Sequence, residues 1–545
     1  MFWRLKVDEA QSFSVRARLL MRKDLLLRTP LLAAILIPLL TFEYGEAFTF
    51  YFVGDDFGFI HTLLKDKWKL LWMSRAYYHY YPLGITINAF PALFGSFDPR
   101  WYVLINFSFF LSCSLVVAKV CRHITGRVLE GALAALLFAT ATPNSEVMYW
   151  KTGNCTIAMT FFSVLALAFF IRHLTRNSRI AFAACVAAYA LSMLCIEQGI
   201  VTFGVFLLYD ALFHLIPQLR NVLLKRGALV RFAGRHTILL AVPVLLTGWK
   251  LALGLEMSPF PLVLRDWGAL AVAAMRTLAH LLDFNGIFVE PDARFSSLAS
   301  FLAIALCILT GYLYLSRSRA ALFFLWASLG SLLVIFIGTG SPNPRYFCLP
   351  LAFYACFLAL FIGDASVAAI AVLGSLLKSA GIHITGGKTV WLGRAVLVAA
   401  ALAVTCIGLT GNLIRRDYWK AASTIERNVV ETVERYLVTG HFDAGKKVFL
   451  MDAPDAFWSP KYSAFYVGSN SLIHDLNHRL HKRSESVALV AGTAMLEMNI
   501  QGERVYCRTL GRERMLERED IDRLLSQGHL ILRFSPSLKT VRPLG

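Results

Sequence analysis

The sequence holds no Cys-x-x-Cys pair, no repeat with a period of 20–50 residues and little charge, and each absence narrows what the chain can be. Without cysteines at ligand spacing there is no zinc knuckle. Of the ten cysteines, Cys113, Cys185, Cys195, Cys307, Cys356 and Cys406 lie inside apolar runs, where they read as small packing residues rather than a disulfide framework. Without a repeat, a solenoid tail has no support. Asp, Glu, Lys and Arg make up 16% of the 545 residues, against about a quarter in a soluble domain. Acids are the scarcer sign, 35 against 54 basic residues, for a formal charge of +19. The basic residues fall mainly in short connections between apolar runs, the pattern of cytoplasmic loops beside anionic lipid, so a nucleic-acid partner is excluded. The first apolar run has no small-residue cleavage pattern behind it, and a retained span is expected rather than a removed signal peptide.

What is present is hydrophobic: 57% of the residues, with a mean hydropathy of +0.58. The chain reads as an α-helical polytopic membrane protein. A span needs about 20 mostly apolar residues, and runs near 29–47, 101–120, 131–149, 156–171, 180–197, 199–216, 237–254, 296–315, 321–339, 346–363 and 391–412 meet that need. The expectation is about 11 spans, with 11–13 possible. Residues 1–28 form a basic cytoplasmic segment. Arg122/Arg127, Arg172/Arg176/Arg179, the run from Arg220 to Arg235, Arg317/Arg319 and Lys378/Lys388 all face the same side. Segments 82–95 and 268–284 are read as helices on the outer interface, and the short patch 365–377 as cytoplasmic. This topology leaves a long first outer loop, 48–100, and a second around Pro143 to Cys155. Beyond residue 412 charge becomes dense and short β-like runs appear, so 413–545 is expected to be a small α/β domain outside the membrane.

Four places carry candidate chemistry. In FYFVGDDFGFI, Asp55 and Asp56 sit side by side in the first outer loop. One Asp can cap the helix that follows. Capping needs only one side chain, and a carboxylate at a partly dehydrated interface suits a general base that takes a proton from a hydroxyl. The same loop interleaves Trp68, Trp72, Tyr77, Tyr78, Tyr80 and Tyr81 with Lys65, Lys67, Lys69, Arg75 and His79, which fits an interfacial anchor or the rim of a sugar site. In PNSEVMYWKTGN, Glu146 and Lys151 either pair with each other in the headgroup region or line a site. Glu197, in LCIEQGIV, is either a tolerated turn residue or a site residue. Arg345, in SPNPRYFCLP, stands at the outer mouth of a span, where a guanidinium either anchors among lipid headgroups or makes a specific contact with a lipid phosphate. The run HDLNHRLH sets His474, His478 and His481 on one helical face, but a solvated helix does the same, and no metal ligand set is assigned.

The segment LLFATATPNSEVMYWKTGN resembles that of GT-C glycosyltransferases, the superfamily that includes O-mannosyltransferases of the animal endoplasmic reticulum and many bacterial relatives. Pro143, Glu146 and Trp150 match its proline, glutamate and tryptophan. The resemblance extends to GDDF at Gly54 to Phe57, to YYPLG followed by LFG at Leu93 to Gly95, and to IEQG at Ile196 to Gly199, with RYFCLP a weaker match. It covers about residues 50–200 in order. It implies a GT-C-like transmembrane domain over 29–412 and a polyprenyl-phosphate-linked sugar as donor. A glycan, lipid or protein would be the acceptor, on the outer face of a bacterial cytoplasmic membrane. It further implies inverting transfer with Asp55 or Asp56 as base, Glu146 and Glu197 lining the site, and Lys151 and Arg345 meeting the departing phosphate. No cofactor is required, although paired acids can hold Mg²⁺ or Mn²⁺. The chain departs from the pattern where relatives carry arginine, having Tyr81 and Asn154, and Lys151 and Arg75 are candidate substitutes. The competing class is a transporter or flippase of a lipid-linked or anionic substrate.

Overall fold

The computed structural model describes residues 29–52, 56, 81–93, 98–219, 225–252, 267–283, 295–339, 344–379 and 386–438, and beyond these the strands and one helix between 448 and 543. Helix α1 is Thr29–Tyr44, α2 Pro82–Leu93, α3 Pro99–Thr125, α4 Val128–Ala139, α5 Ser145–Tyr149, α6 Asn154–Arg176 and α7 Arg179–Cys195. Helix α8, Val201–Asp210, continues through a π turn, Ala211–Leu215, into Ile216–Leu219. Then follow α9 Lys225–Ala252, α10 Trp267–Leu282, α11 Phe295–Ser316, α12 Arg319–Thr339, α13 Cys348–Ser379 and α14 Gly386–Val438. Eight helical segments among the described residues are long and apolar enough to cross a membrane, by length and composition. Val128–Ala139, Arg179–Cys195 and Arg319–Leu332 are shorter apolar stretches.

Local chemistry sets the hairpins. Asp98 caps α3, accepting the Arg100 N–H at 2.9 Å, with Pro99 at the first helical position, where its missing N–H costs nothing. The same helix ends at Gly126, whose φ of +72° is the left-handed conformation that stops helices. Helix α6 ends likewise at Asn177, φ +50°, and Ser178 at once caps α7 by accepting the Ala181 N–H. Both turns lie at one end of the bundle and make α3–α4 and α6–α7 antiparallel pairs. Helix α2, with 12 residues, is too short to cross and lies against α6 and α7.

The core runs through α1, α3, α4, α6, α13 and the turns at the opposite end, with Tyr44, Tyr102, Phe110, Phe138, Tyr149 and Phe170 fully buried. Large apolar side chains on α9, α11 and α14, such as Leu245, Ile304 and Leu402, instead point outward and are exposed. In a bilayer that is the satisfied arrangement, because lipid takes the place of core.

Two helices run further than their sequence predicts. Helix α13 continues through the patch 365–377, which has no proline to end it. Helix α14 has 53 residues and a length of about 80 Å, far more than the roughly 30 Å of hydrocarbon in a bilayer. It passes unbroken through residues 412–413, where the composition changes, because the charged stretch that follows is still made of helix formers. After it come β1 Val448–Met451, β2 Ala456–Trp458, β3 Ser463–Tyr466, β4 Glu497–Gln501, β5 Arg504–Thr509, β6 Arg512–Leu516, α15 Arg518–Ser526, β7 Leu530–Ser535 and β8 Thr540–Pro543. The order β6-β5-β4-β1-β7-β8 forms a mixed sheet in which β1 runs parallel to β4 and β7, with Val448 opposite Leu530 and Leu450 opposite Glu497. The β2–β3 pair is a separate hairpin.

Helix α14 meets α4 where Gly408 lies against the Thr140 carbonyl, and a Cβ there would collide with backbone. Gly408→Ala is therefore expected to destabilise the protein by about 1–3 kcal/mol. Gly374→Ala, which meets nothing within 4 Å, is expected to be neutral or stabilising. Thermal unfolding of the two variants in detergent measures both.

Candidate functional site

The chain between α4 and α6 folds as a tight series of turns: a 3₁₀ turn at Thr142–Asn144, helix α5, and a second 3₁₀ turn at Lys151–Gly153. It is buried almost throughout, so its polar groups need partners inside the protein. Asn106 on α3 donates to the carbonyls of Val147 at 2.9 Å and Trp150 at 3.1 Å. Asn144 donates to the Phe138 carbonyl at 2.8 Å, and Ser145 to that of Thr142 at 2.7 Å. Tyr149 donates to the Glu43 carbonyl at 3.3 Å, which ties the turns to the end of α1. These bonds fix the path of the backbone and with it the side chains of Glu146 and Lys151.

Glu146 is 1% exposed and lies between two guanidinium groups, with Arg345 at 3.5 Å and Arg415 at 3.8 Å. Arg415, on α14, also donates to the Thr142 carbonyl at 3.0 Å. Arg345, in the turn Pro344–Phe347 before α13, stacks over the Trp150 ring at 4.5 Å. Burial raises the Glu146 carboxyl above its ordinary pKa, and the charges of Arg345 and Arg415 act against that rise. Of the two readings of Glu146 and Lys151, the ion pair between them is not formed. Lys151 points the other way: its Nζ donates to the Ala47 carbonyl at 2.8 Å, lies 5.6 Å from the Phe50 ring centre and is within electrostatic reach of Asp56.

Asp56 is fully buried, and one of its oxygens accepts both the backbone N–H of Thr152 at 2.9 Å and the Thr152 hydroxyl at 2.8 Å. Its carboxylate therefore serves the Thr152 N–H and hydroxyl in the 3₁₀ turn leading into α6, and joins the segment after α1 to that turn. Asp55, Arg75 and His79 lie outside the described residues, as do the aromatic residues 68–80 and His474, His478 and His481. Glu197 is paired with Lys250 of α9. Its neighbour Gln198 donates to the Tyr346 carbonyl at 3.1 Å, which links that turn to the residue beside Arg345. Tyr81 is buried, and Asn154 donates to Asn88 at 2.6 Å. Among the described residues no three His, Cys, Asp or Glu side chains converge as a metal site would require.

Sequence reasoning missed the part played by α14. Its charged half straps the segment after α1: Arg416 pairs with Glu46 at 3.2 Å, Lys420 with Glu46 at 3.0 Å, Arg427 donates to the Thr49 carbonyl and Ser423 accepts the Tyr51 N–H. Asn412 donates to the carboxylate of Glu43 and to the Thr140 carbonyl. The available signal was the pair Arg415–Arg416 at the end of an apolar run that the sequence reading puts on the outer side, against the expected distribution of positive charge.

By its helices the chain is an integral membrane protein. No protein-family model matches it. Over 174 residues it is 27% identical to protein O-mannosyl-transferase tmtc2 of Xenopus laevis, a match that takes in 30% of this chain and 21% of that one. This relative bears out the resemblance to O-mannosyltransferases, over about a fifth of the relative's length. In structure the chain is similar to ArnT from Cupriavidus metallidurans bound to undecaprenyl phosphate, with a TM-score of 0.45 and 14% identity over 86% of this chain and 92% of that one. It is also similar to the apo oligosaccharyltransferase of Archaeoglobus fulgidus, with a TM-score of 0.42 and 12% identity over 77% and 62% of the two chains.

The raised pKa of Glu146 makes stability depend on pH. A carboxyl that holds its proton more tightly folded than unfolded contributes stability that is full below the unfolded value, 4.5, and is lost as pH rises through the folded value. Thermal midpoints of wild type and Glu146→Gln, compared across that range, are expected to diverge, with wild type losing stability relative to the variant as pH rises. Parallel curves contradict the assignment.

Proposed function

We propose that the protein is a membrane glycosyltransferase that moves a sugar from a polyprenyl-phosphate donor to an acceptor on the outer face of a bacterial cytoplasmic membrane. The observation that carries the reading is the collection, at one end of the bundle, of buried Asp56, Lys151 and Glu146 with Arg345 and Arg415. Ionisable groups at the edge of a bilayer are costly and persist where they serve a charged substrate. In this reading eleven crossings place the turn Thr142–Gly153 outside, level with the headgroups. A donor can then remain in the membrane while its acceptor, a glycan, lipid or protein, arrives from water.

The chemistry follows from the residue types. A carboxylate of the first outer loop, Asp55 or Asp56, takes the proton from the acceptor hydroxyl. The acceptor oxygen forms its bond to the anomeric carbon on the face opposite the phosphate. The bond from that carbon to the phosphate oxygen breaks, and the electron pair leaves with the polyprenyl phosphate, so the configuration inverts. Arg345 meets the growing phosphate charge through paired hydrogen bonds, with Lys151 and Arg415 adding to the positive field. Glu146 aims the two guanidinium groups and keeps them from repelling each other. Asp56 already holds two hydrogen bonds from Thr152, which favours Asp55 as the base and Asp56 as the group that positions the loop.

The test is mass spectrometry of the lipid-linked sugar pool and envelope glycans in cells carrying wild type, a deletion, Asp55→Asn and Asp56→Asn. The expected result is accumulation of one polyprenyl-phosphate sugar and loss of one glycan decoration in the deletion and in Asp55→Asn, with turnover down by roughly 10²–10⁴-fold in the latter. If both substitutions leave the glycans unchanged while the deletion alters which leaflet holds the lipid, the protein is a transporter and this mechanism is wrong.

A further inference from the structure

At the end of the bundle opposite Glu146, helices α1, α3 and α4 border a half-open hollow of about 370 Å³. Its walls are Leu32 of α1, Leu115 and Ala118 of α3, and Val128, Gly131 and Ala132 of α4. At Gly131, α4 packs so closely on α3 that a Cβ would lie 2.8 Å from the Ala118 carbonyl, and the hollow opens beside this contact. The mouth is lined by Lys119, Arg122 and His123 at the end of α3 and by Thr29 at the start of α1. Arg176, at the end of α6, lies within electrostatic reach of His123.

Of the basic residues at this end, Lys119, Arg122 and His123 are the ones that line the hollow; like Arg172, Arg176, Arg179, Arg317 and Arg319 they have no acidic partner among the described residues, whereas two neighbours do. Arg127 is held by Glu130 and by Asp364 at 2.5 Å, and Arg235 by Asp210 at 2.7 Å. Two cations without an acidic partner among the described residues, Lys119 and Arg122, beside a partly apolar hollow, with large apolar side chains such as Ile35 and Ile37 exposed on the neighbouring α1, match a ligand with an anionic head and a hydrocarbon tail. Arg122 is 16 residues along α3 from Asn106, about 24 Å from the turns that carry Glu146, so this hollow is separate from the candidate active site.

We propose that this hollow binds one anionic glycerophospholipid of the leaflet that faces the basic loops. Its phosphate is held by Lys119 and Arg122, its headgroup sits beside His123 and Thr29, and an acyl chain enters between Leu32, Leu115 and Ala132. The lipid would fill a gap in the packing of α1, α3 and α4 and neutralise cations that have no acidic partner among the described residues.

Full-length protein in detergent, titrated with phosphatidylglycerol or phosphatidylcholine and followed by native mass spectrometry and thermal midpoint, tests the site. Wild type is expected to retain phosphatidylglycerol and to be stabilised by it, with phosphatidylcholine far weaker. Lys119→Gln with Arg122→Gln is expected to weaken phosphatidylglycerol by roughly 10–30-fold, at about 1 kcal/mol for each lost charge. Ala132→Leu, which fills the hollow and keeps every charge, is expected to abolish retention of the lipid while the protein without lipid unfolds near the wild-type temperature. Equal binding of the two lipids, or unchanged binding by both variants, overturns the proposal. Stabilisation reproduced by millimolar inorganic phosphate alone also overturns it, because the occupant is then a free anion and not a lipid.

Discussion

A carboxylate buried at the end of a membrane bundle must be paired or protonated, and the placing of Glu146 between Arg345 and Arg415 is the constraint on which this structure turns. The three residues come from the turn after α4, the turn before α13 and the middle of α14. Satisfying one acid therefore joins segments that are far apart in the chain. The same contact explains why α14 cannot lie loosely against the bundle. Arg415 reaches Glu146 only if Gly408 lets α14 close on Thr140 and if Asn412 settles beside Glu43. Beyond Arg415, the strap formed by Arg416, Lys420, Ser423 and Arg427 holds the segment that leads to Asp56.

In the proposed function the cluster receives and releases a lipid phosphate. Three basic residues, Lys151, Arg345 and Arg415, gather around the buried acids Glu146 and Asp56, which offset the cost of burying them. Arg345 is the most open of the three, 21% exposed, and its stacking on Trp150 holds the plane of the guanidinium while leaving edge donors for a ligand. The acids have different tasks. Glu146 faces the arginines, and Asp56 faces the backbone of the turn that carries Lys151.

Much of this was legible in the sequence, because a span shows itself as some 20 apolar residues and the motif segment carries its own proline, glutamate and tryptophan. The turns that hold Glu146 and Lys151 lie where the motif puts them. Which acid faces which cation was not legible. Glu146 and Lys151 are five residues apart, and a helical turn followed by a 3₁₀ turn sends their side chains in different directions, a result of local geometry that spacing alone does not reveal. Arg415 escaped notice because it belongs to a stretch whose rising charge reads as the start of another domain, although the helix itself continues. The substitution of Asn154 for an expected arginine looked like a lost cation. In the folded chain Asn154 is occupied with Asn88, and a cation from α14 stands at the site instead.

The central claim is that the cluster around Glu146 recognises a lipid phosphate, and affinity for polyprenyl phosphate tests it most directly. Binding to purified wild type, Arg345→Gln and Arg345→Lys would be measured at several salt concentrations, with thermal unfolding to show that each variant is folded. The account predicts that Arg345→Gln weakens binding by about 10–100-fold, that lysine restores only part of it, and that the salt dependence falls with the lost charge. Folded variants that bind polyprenyl phosphate as tightly as wild type would contradict it.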